Sequence, residues 1–253
     1  MKYSAFILYR AWLSKKYTTA TADTYCKAID YLLKEQLLLD CRKMNIDSVV
    51  TKLKAMKYKN QYSKYKSAFI LFCEFLDIKL SDIVISELQT MNTEKIKKRR
   101  RLKQTNLKDI KNRIKTIRDK KLKLSYETML TSGLRVSELS QIKKEDCSIN
   151  DNSIVMWFCA KGGNKESVVI SDKRIIDKLK DLINSTENNA KVYYSSNYLQ
   201  TKARELGFMC HDLRRAFAKV SYQKYKDINK VTELLRHKNT NNTMIYLNSK
   251  IKI

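Results

Sequence analysis

The chain has 253 residues, with 52 Lys and Arg against 26 Asp and Glu, a net charge of +26, and no proline. That length can bury an apolar core without disulfide or metal staples, and two domains fit it better than one. The six cysteines, at positions 26, 41, 73, 147, 159 and 210, show neither Cys-x-x-Cys pairing nor the density of a disulfide scaffold, so they argue against a disulfide framework and against a structural metal.

No run of about 18 apolar residues is present to cross a bilayer. The short apolar stretch from Ala5 to Leu8 is broken by Tyr9 and Arg10, with no small-residue cleavage site after it, which argues against export. The expectation is a reduced, cytoplasmic protein without a membrane partner. So basic a surface attracts polyanions. Each Lys or Arg placed on a phosphate releases condensed counterions, which makes nucleic acid the first partner to consider, although the same charges also suit a merely solvated face.

The first ninety residues read as helices throughout. Apolar residues recur at helical spacing around Phe6 to Leu13, Tyr25 to Leu33 and Val49 to Met56, with Thr21 or Asp23 and Asp47 or Ser48 as N-caps. Tyr62, Tyr65, Phe69, Phe72, Phe75 and Leu76 form the clearest stripe. That stripe reads as core packing in preference to base stacking. Residues 91–105 lose apolar periodicity and contain a basic run from Glu94 to Lys103 that includes Arg99, Arg100 and Arg101. The run suits an interdomain linker able to lie along a phosphate backbone. The domains are therefore expected at 1–90, a helical DNA-binding unit, and at 106–253.

In the second unit the helical pattern resumes at Leu107, with Ile110, Ile114 and Ile117 in register, and returns from Leu124 to Leu130, ending at Gly133 as a C-cap glycine. A further helix is expected from Arg135 to Ile142. Ile154 to Cys159 and Ser167 to Ile170 flank Lys161-Gly-Gly-Asn-Lys165, the pattern of a hairpin with a lysine-bearing turn. Helices follow around Lys173 to Ile183, Ser196 to Leu206, His211 to Tyr225, Ile228 to Leu235 and Asn241 to Tyr246. The fold class is mainly α with a small β-sheet.

The two histidines stand in related contexts, His211-Asp-Leu-Arg214 and Leu235-Arg-His237, with Tyr246 nine residues beyond the second. Phosphoryl transfer without a metal needs such a set. Attack on a phosphodiester adds negative charge to its non-bridging oxygens, and arginine answers it with a planar, permanently charged fork, so Arg135 and Arg214 would clamp the phosphate. A tyrosine hydroxyl, with an unperturbed pKa of about 10, needs nearby donors to become a nucleophile, and His211 or His237 can supply them. A poor alkoxide leaving group wants a proton, which Lys161 on the hairpin turn could deliver. Taken singly, each residue also has an ordinary structural explanation.

Three segments carry a resemblance to a known family. Thr131 to Leu139, read as TSGLRVSEL, resembles the first arginine box of the tyrosine recombinase and phage integrase family, which includes the Xer-type enzymes. His211 to Ala218, HDLRRAFA, resembles its His-x-x-Arg box, and Leu234 to Tyr246 resembles its closing histidine-to-tyrosine segment. By position on the hairpin, Lys161 matches the family's catalytic lysine better than Lys165 does.

The resemblance implies a two-domain C-shaped clamp, a helical core-binding domain plus an α+β catalytic domain, acting on double-stranded DNA. It implies Arg135, Lys161, His211, Arg214 and His237 as catalytic residues and Tyr246 as nucleophile, a 3′-phosphotyrosyl intermediate, no cofactor, and self-association into a tetramer that exchanges strands through a Holliday junction. Accessory DNA-bending or directionality proteins are further expected partners. Alternatives on the same frame are a DNA-relaxing topoisomerase of type IB and a non-catalytic DNA-binding regulator. Glu138 offers a carboxylate that could orient Arg135. Arg99, Arg100, Arg101, Lys165, Arg215 and Arg236 are the further DNA-contact candidates. Arg236 replaces the glycine common before the second histidine, and reads as a tolerated helical position more than as an added phosphate contact. Seven residues follow Tyr246, where many relatives carry a longer tail that docks on a neighbour.

Overall fold

The computed structural model describes residues 2–34, 36, 40–56, 59–90, 106–160, 163–249 and 251. Contacts divide the chain into two compact units, Met1–Arg101 and Leu102–Ile253. The basic run, with Arg99, Arg100 and Arg101, lies outside the described residues, as does Lys161.

The first unit is helical: α1 (Lys2–Lys16), α2 (Thr19–Leu32), α3 (Ile46–Lys54), α4 (Lys59–Phe75) and α5 (Asp82–Thr90), with a 3₁₀ turn at Cys41–Lys43. Its helices close on Tyr9, Leu13, Ile29, Leu32, Val49, Leu53, Tyr62, Phe69, Phe72 and Leu88, all buried. The aromatic stripe is core, as its spacing predicts. Tyr9 meets Phe72 edge-on, with ring centroids 4.9 Å apart, and donates its hydroxyl to the Ala68 carbonyl at 3.0 Å. Tyr62 likewise donates to Leu88 at 2.8 Å, so each ring is buried without stranding its polar end. The predicted caps are displaced. Thr18 precedes α2, and Asn45 caps α3 by accepting from the Ser48 amide at 2.9 Å, because the helices begin a few residues earlier than the apolar spacing announces.

The second unit runs α6 (Leu107–Lys115), α7 (Lys120–Ser132), α8 (Val136–Leu139), β1 (Cys147–Ile149), β2 (Ile154–Cys159), β3 (Lys165–Ile170), α9 (Ile176–Asn184), α10 (Ser196–Glu205), α11 (Cys210–Tyr225), α12 (Ile228–Leu234) and α13 (Thr240–Leu247). The antiparallel sheet has the order β1-β2-β3. The hairpin is where the alternation put it, with Phe158 opposite Glu166 and Cys159 opposite Lys165. The short strand β1 was not expected. The helix predicted from Lys173 begins only at Ile176.

Burial along β2 alternates, so Ile154, Met156 and Phe158 face the core while Trp157 faces outward. They pack with Tyr126, Met129, Leu139, Ile170, Leu179, Leu199, Phe208 and Leu213 in one cluster. A second cluster joins Ala218, Val231, Leu235 and Tyr246. The helix α11 contributes to both, Leu213 to the first and Ala218 to the second, and so fixes the tyrosine helix to the main core. No helix among the described residues is long and apolar enough to cross a membrane.

Candidate active site

Gly133 ends α7 with φ +66°. An added Cβ there would lie 2.4 Å from the Phe217 ring, so both backbone conformation and space demand glycine. The sharp exit turns the chain into α8 with Arg135 as its N-cap, one position earlier in role than the helix start predicted for it. Three residues on, Glu138 reaches back. Its Oε2 accepts the Arg135 amide at 2.7 Å, and its Oε1 accepts Arg135 Nη1 at 2.5 Å. Glu138 is 2% exposed, and a carboxylate so buried requires cationic partners. A second partner is Arg214, whose Nη1 lies 3.6 Å from Glu138 Oε2.

Arg214 is completely buried. Its Nη1 donates to the Gly133 carbonyl at 2.5 Å and its Nη2 donates to the Leu235 carbonyl. It thus braces the end of α7 against the end of α12. Nε has no partner, so of the five N–H donors of a guanidinium, some remain for a substrate. Burial first, and then the charge of Arg135, lower the Arg214 pKa to about 10, with Glu138 opposing; the group stays cationic at neutral pH. Two cations therefore share one buried carboxylate, and an excess positive charge remains for an incoming phosphate.

Tyr246, 9% exposed, packs against both histidines. His211 and His237 each place a ring centroid 5.0 Å from that of Tyr246, at interplanar angles of 90° and 76°. His237 Nδ1 is 2.9 Å from Thr243 Oγ1, which accepts from Thr232 Oγ1 at 2.9 Å. The two threonines thus fix the orientation of the His237 ring through Nδ1 and leave Nε2 pointing away from them. Desolvation first, then Arg214, Arg135, Arg236 and His211, push the His237 pKa down to about 4. Desolvation, then Arg215 and Arg214, push His211 down to about 4 as well, against the pull of Asp212. Both rings are neutral at physiological pH in the DNA-free protein.

Arg135, His211 and Arg214 line a cavity of about 240 Å³, together with Gln200 and Arg204 of α10. The structure thus brings together Arg135 from the turn that opens α8, His211 and Arg214 from α11, His237 from the turn after α12, and Tyr246 from α13. Lys165 is exposed and stacks over the outward-facing Trp157, 5.6 Å from its centroid, on the sheet face opposite to Phe158. Arg215 is ion-paired with Asp212 at 2.9 Å. Arg236 is not helical: it has φ +54°, a conformation costing roughly 1–2 kcal/mol in a side-chain-bearing residue, and its guanidinium turns inward to lie 5.3 Å from the Phe158 centroid. Sequence reasoning missed Thr243, Gln200 and Arg204. Thr243 stands three residues before Tyr246, on the same helical face, which is the signal that could have found it. Among the described residues no three His, Cys, Asp or Glu side chains gather as a metal site would need.

Residues 100–252, more than half of the chain, match the model of the phage integrase family. The chain belongs to the phage integrase family. Among relatives of this family member, tyrosine recombinase XerH of Campylobacter jejuni subsp. jejuni is 31% identical over 165 residues, covering 57% of this chain and 45% of XerH. Tyrosine recombinase XerA of Thermococcus kodakarensis is 27% identical over 132 residues, 46% of each chain. The chain spans about half the length of the curated relatives it matches. Its fold is shared with a lambda integrase tetramer bound to a Holliday junction, with a TM-score of 0.72 at 17% identity, over 98% of this chain and 77% of that one. It is also shared with XerH bound to a palindromic difH substrate in a post-cleavage complex, with a TM-score of 0.65 at 17% identity, over 90% and 76%.

Proposed function

We propose that this phage integrase family member is a site-specific DNA recombinase that cuts and rejoins strands through a 3′-phosphotyrosyl intermediate on Tyr246. The observation that carries the reading is the packing of the Tyr246 ring against two neutral histidines, beside two arginines that share one buried carboxylate.

The phenolic oxygen of Tyr246 attacks the scissile phosphorus, and the bond from phosphorus to the 5′ oxygen breaks. Arg135 and the remaining donors of Arg214 face the non-bridging oxygens, where charge grows in the transition state. One of the two rings, His211 or His237, accepts the phenolic proton while the other donates to the same phosphate. Lys161, next after Ala160 in sequence, gives its proton to the leaving 5′ oxygen. A 5′ hydroxyl of a partner strand then attacks the phosphotyrosine and restores the phosphodiester. The bond energy is conserved throughout, so the scheme calls on no nucleotide cofactor.

The partner in this reading is double-stranded DNA, gripped by the catalytic unit and by the helical unit as a core-binding domain. Arg99, Arg100, Arg101, Lys165 and Arg215 would contact its backbone. The family's DNA-bound assemblies, one of them a tetramer on a Holliday junction, support a tetramer exchanging strands between two duplexes. Accessory proteins would set direction, in the cytoplasm of a host or of a cell carrying a mobile element. The test is a nicked suicide duplex bearing the flanks of the protein's own coding region. The wild type is expected to form a covalent adduct on the 3′ side, and Tyr246→Phe to bind DNA and form none. Adduct formation by Tyr246→Phe would overturn the reading, and relaxation of supercoiled plasmid without site preference would favour a topoisomerase.

A further inference from the structure

The turn between α12 and α13 closes as a Schellman motif. The Arg236 amide bonds the Glu233 carbonyl at 2.8 Å and the His237 amide bonds the Thr232 carbonyl at 3.0 Å, which puts Arg236 at the position where glycine is strongly preferred. Lys226, the left-handed residue that ends α11, sends its side chain to solvent. The Arg236 side chain does the opposite and is only 13% exposed.

What it meets is a single cross-strand pair. Phe158 and Glu166 stand opposite one another, one pair before the hairpin turn. The guanidinium covers the Phe158 ring and places Nε 3.7 Å from Glu166 Oε2, while Nη1 donates to the Leu234 carbonyl at 3.0 Å. Arg236 Nε and Nη2 and Glu166 Oε2 are buried and make no hydrogen bond. A strained backbone and three unsatisfied buried atoms are a poor return in stability, and strain kept in place beside a catalytic residue points to a use there. Nη1 and the face of the guanidinium are already committed to Leu234 and Phe158.

We propose that Arg236 is a positioning residue, which with Glu166 latches the β2–β3 hairpin to the turn carrying His237 and so holds the hairpin turn at the leaving-group side of the phosphate. The inference rests on the reading that Lys161 protonates the leaving oxygen. It connects two parts of the site that no backbone hydrogen bond joins: the strand pair before the turn, and the residue next to His237.

The experiment compares two nicked duplexes, one ordinary and one with sulfur at the bridging 5′ position, whose thiolate leaves without a proton. Arg236→Gly suits the left-handed backbone, so the variant keeps its melting temperature. It is expected to cleave the ordinary duplex about tenfold to a hundredfold more slowly, the order expected for misplacing a catalytic group, and to cleave the sulfur duplex at nearly the wild-type rate. Glu166→Gln should show the same pattern, and the double variant should be no worse than Arg236→Gly. Equal loss on both duplexes would overturn the latch, since a direct phosphate contact or a general loss of structure slows both alike. No loss on either would overturn it too. Lys161→Ala runs alongside: if sulfur rescues it but not Arg236→Gly, the latch alone is wrong, and if sulfur rescues neither, the assignment of the proton donor fails and takes the latch with it.

Discussion

The two units build their interiors from different materials. Among the described residues the buried polar and charged side chains, Ser125, Thr128, Ser132, Glu138, Ser140, Asp212, Arg214, Ser221 and Thr243, all belong to the second unit. The first unit closes on aliphatic and aromatic groups, and its buried hydroxyls, on Tyr9 and Tyr62, are satisfied by main-chain carbonyls. A purely apolar interior is the more economical way to be stable. A buried carboxylate shared by two guanidiniums gains little stability once desolvation is counted, yet removing one partner leaves the others uncompensated. On the proposed function the second unit holds its charges for what they would do to a phosphate, and the interior of the first unit carries no such demand.

Substitutions can break this contrast, and the largest effect belongs to the brace. Arg214→Ala strands the Gly133 and Leu235 carbonyls and leaves Glu138 with Arg135 alone. It should slow covalent adduct formation by a hundredfold or more, about the loss seen on removing a preorganised donor, and lower stability by about 3–5 kcal/mol, read in single-turnover cleavage and urea unfolding. Arg135→Ala should match it in rate while costing less stability, because Arg135 is partly exposed. Equal stability losses would erase the distinction between brace and clamp. Phe72→Ala, in the first unit, should cost about 3–5 kcal/mol by cavity formation and leave adduct formation per folded molecule unchanged on a saturating duplex.

The smallest effect is a pH slope. Both histidines have folded pKa values near 4 against an ordinary 6.5, so between those values the unfolded chain binds more protons. Stability is complete above about 6.5 and drains away as pH falls toward 4. Thermal melts of the DNA-free protein should show this loss between neutrality and about pH 5, with a shallower slope in His237→Gln. A flat profile would mean that the rings are not held neutral by their surroundings.

The second unit was the more legible in sequence because its boundaries carry chemical marks. Gly133 closes α7 in a left-handed conformation only glycine adopts cheaply, and the two histidine contexts fell at a helix start and at a helix exit. The start of α2 is crowded with Thr18, Thr19, Thr21 and Asp23, any of which can cap, and tertiary packing chose among them. The strand β1 is three residues long, too short for alternation to register. Arg236 looked helical because an arginine gives no sign of positive φ, and its inward course depends on Phe158 and Glu166, far away in sequence. Glu138 was seen as a partner for Arg135, but its second arginine is visible only once α8 and α11 are folded together.

The Tyr246 ring meets a wall made of His211 and His237, each at the same centroid distance. On the proposed chemistry the same wall must serve the return journey, since by microscopic reversibility every group that helps the tyrosine enter the phosphate also helps it leave. The site is therefore impartial between forward and backward travel. Whichever 5′ hydroxyl is delivered to the phosphotyrosine decides the product, so direction must be imposed from outside this pocket, by how the DNA ends are presented to it.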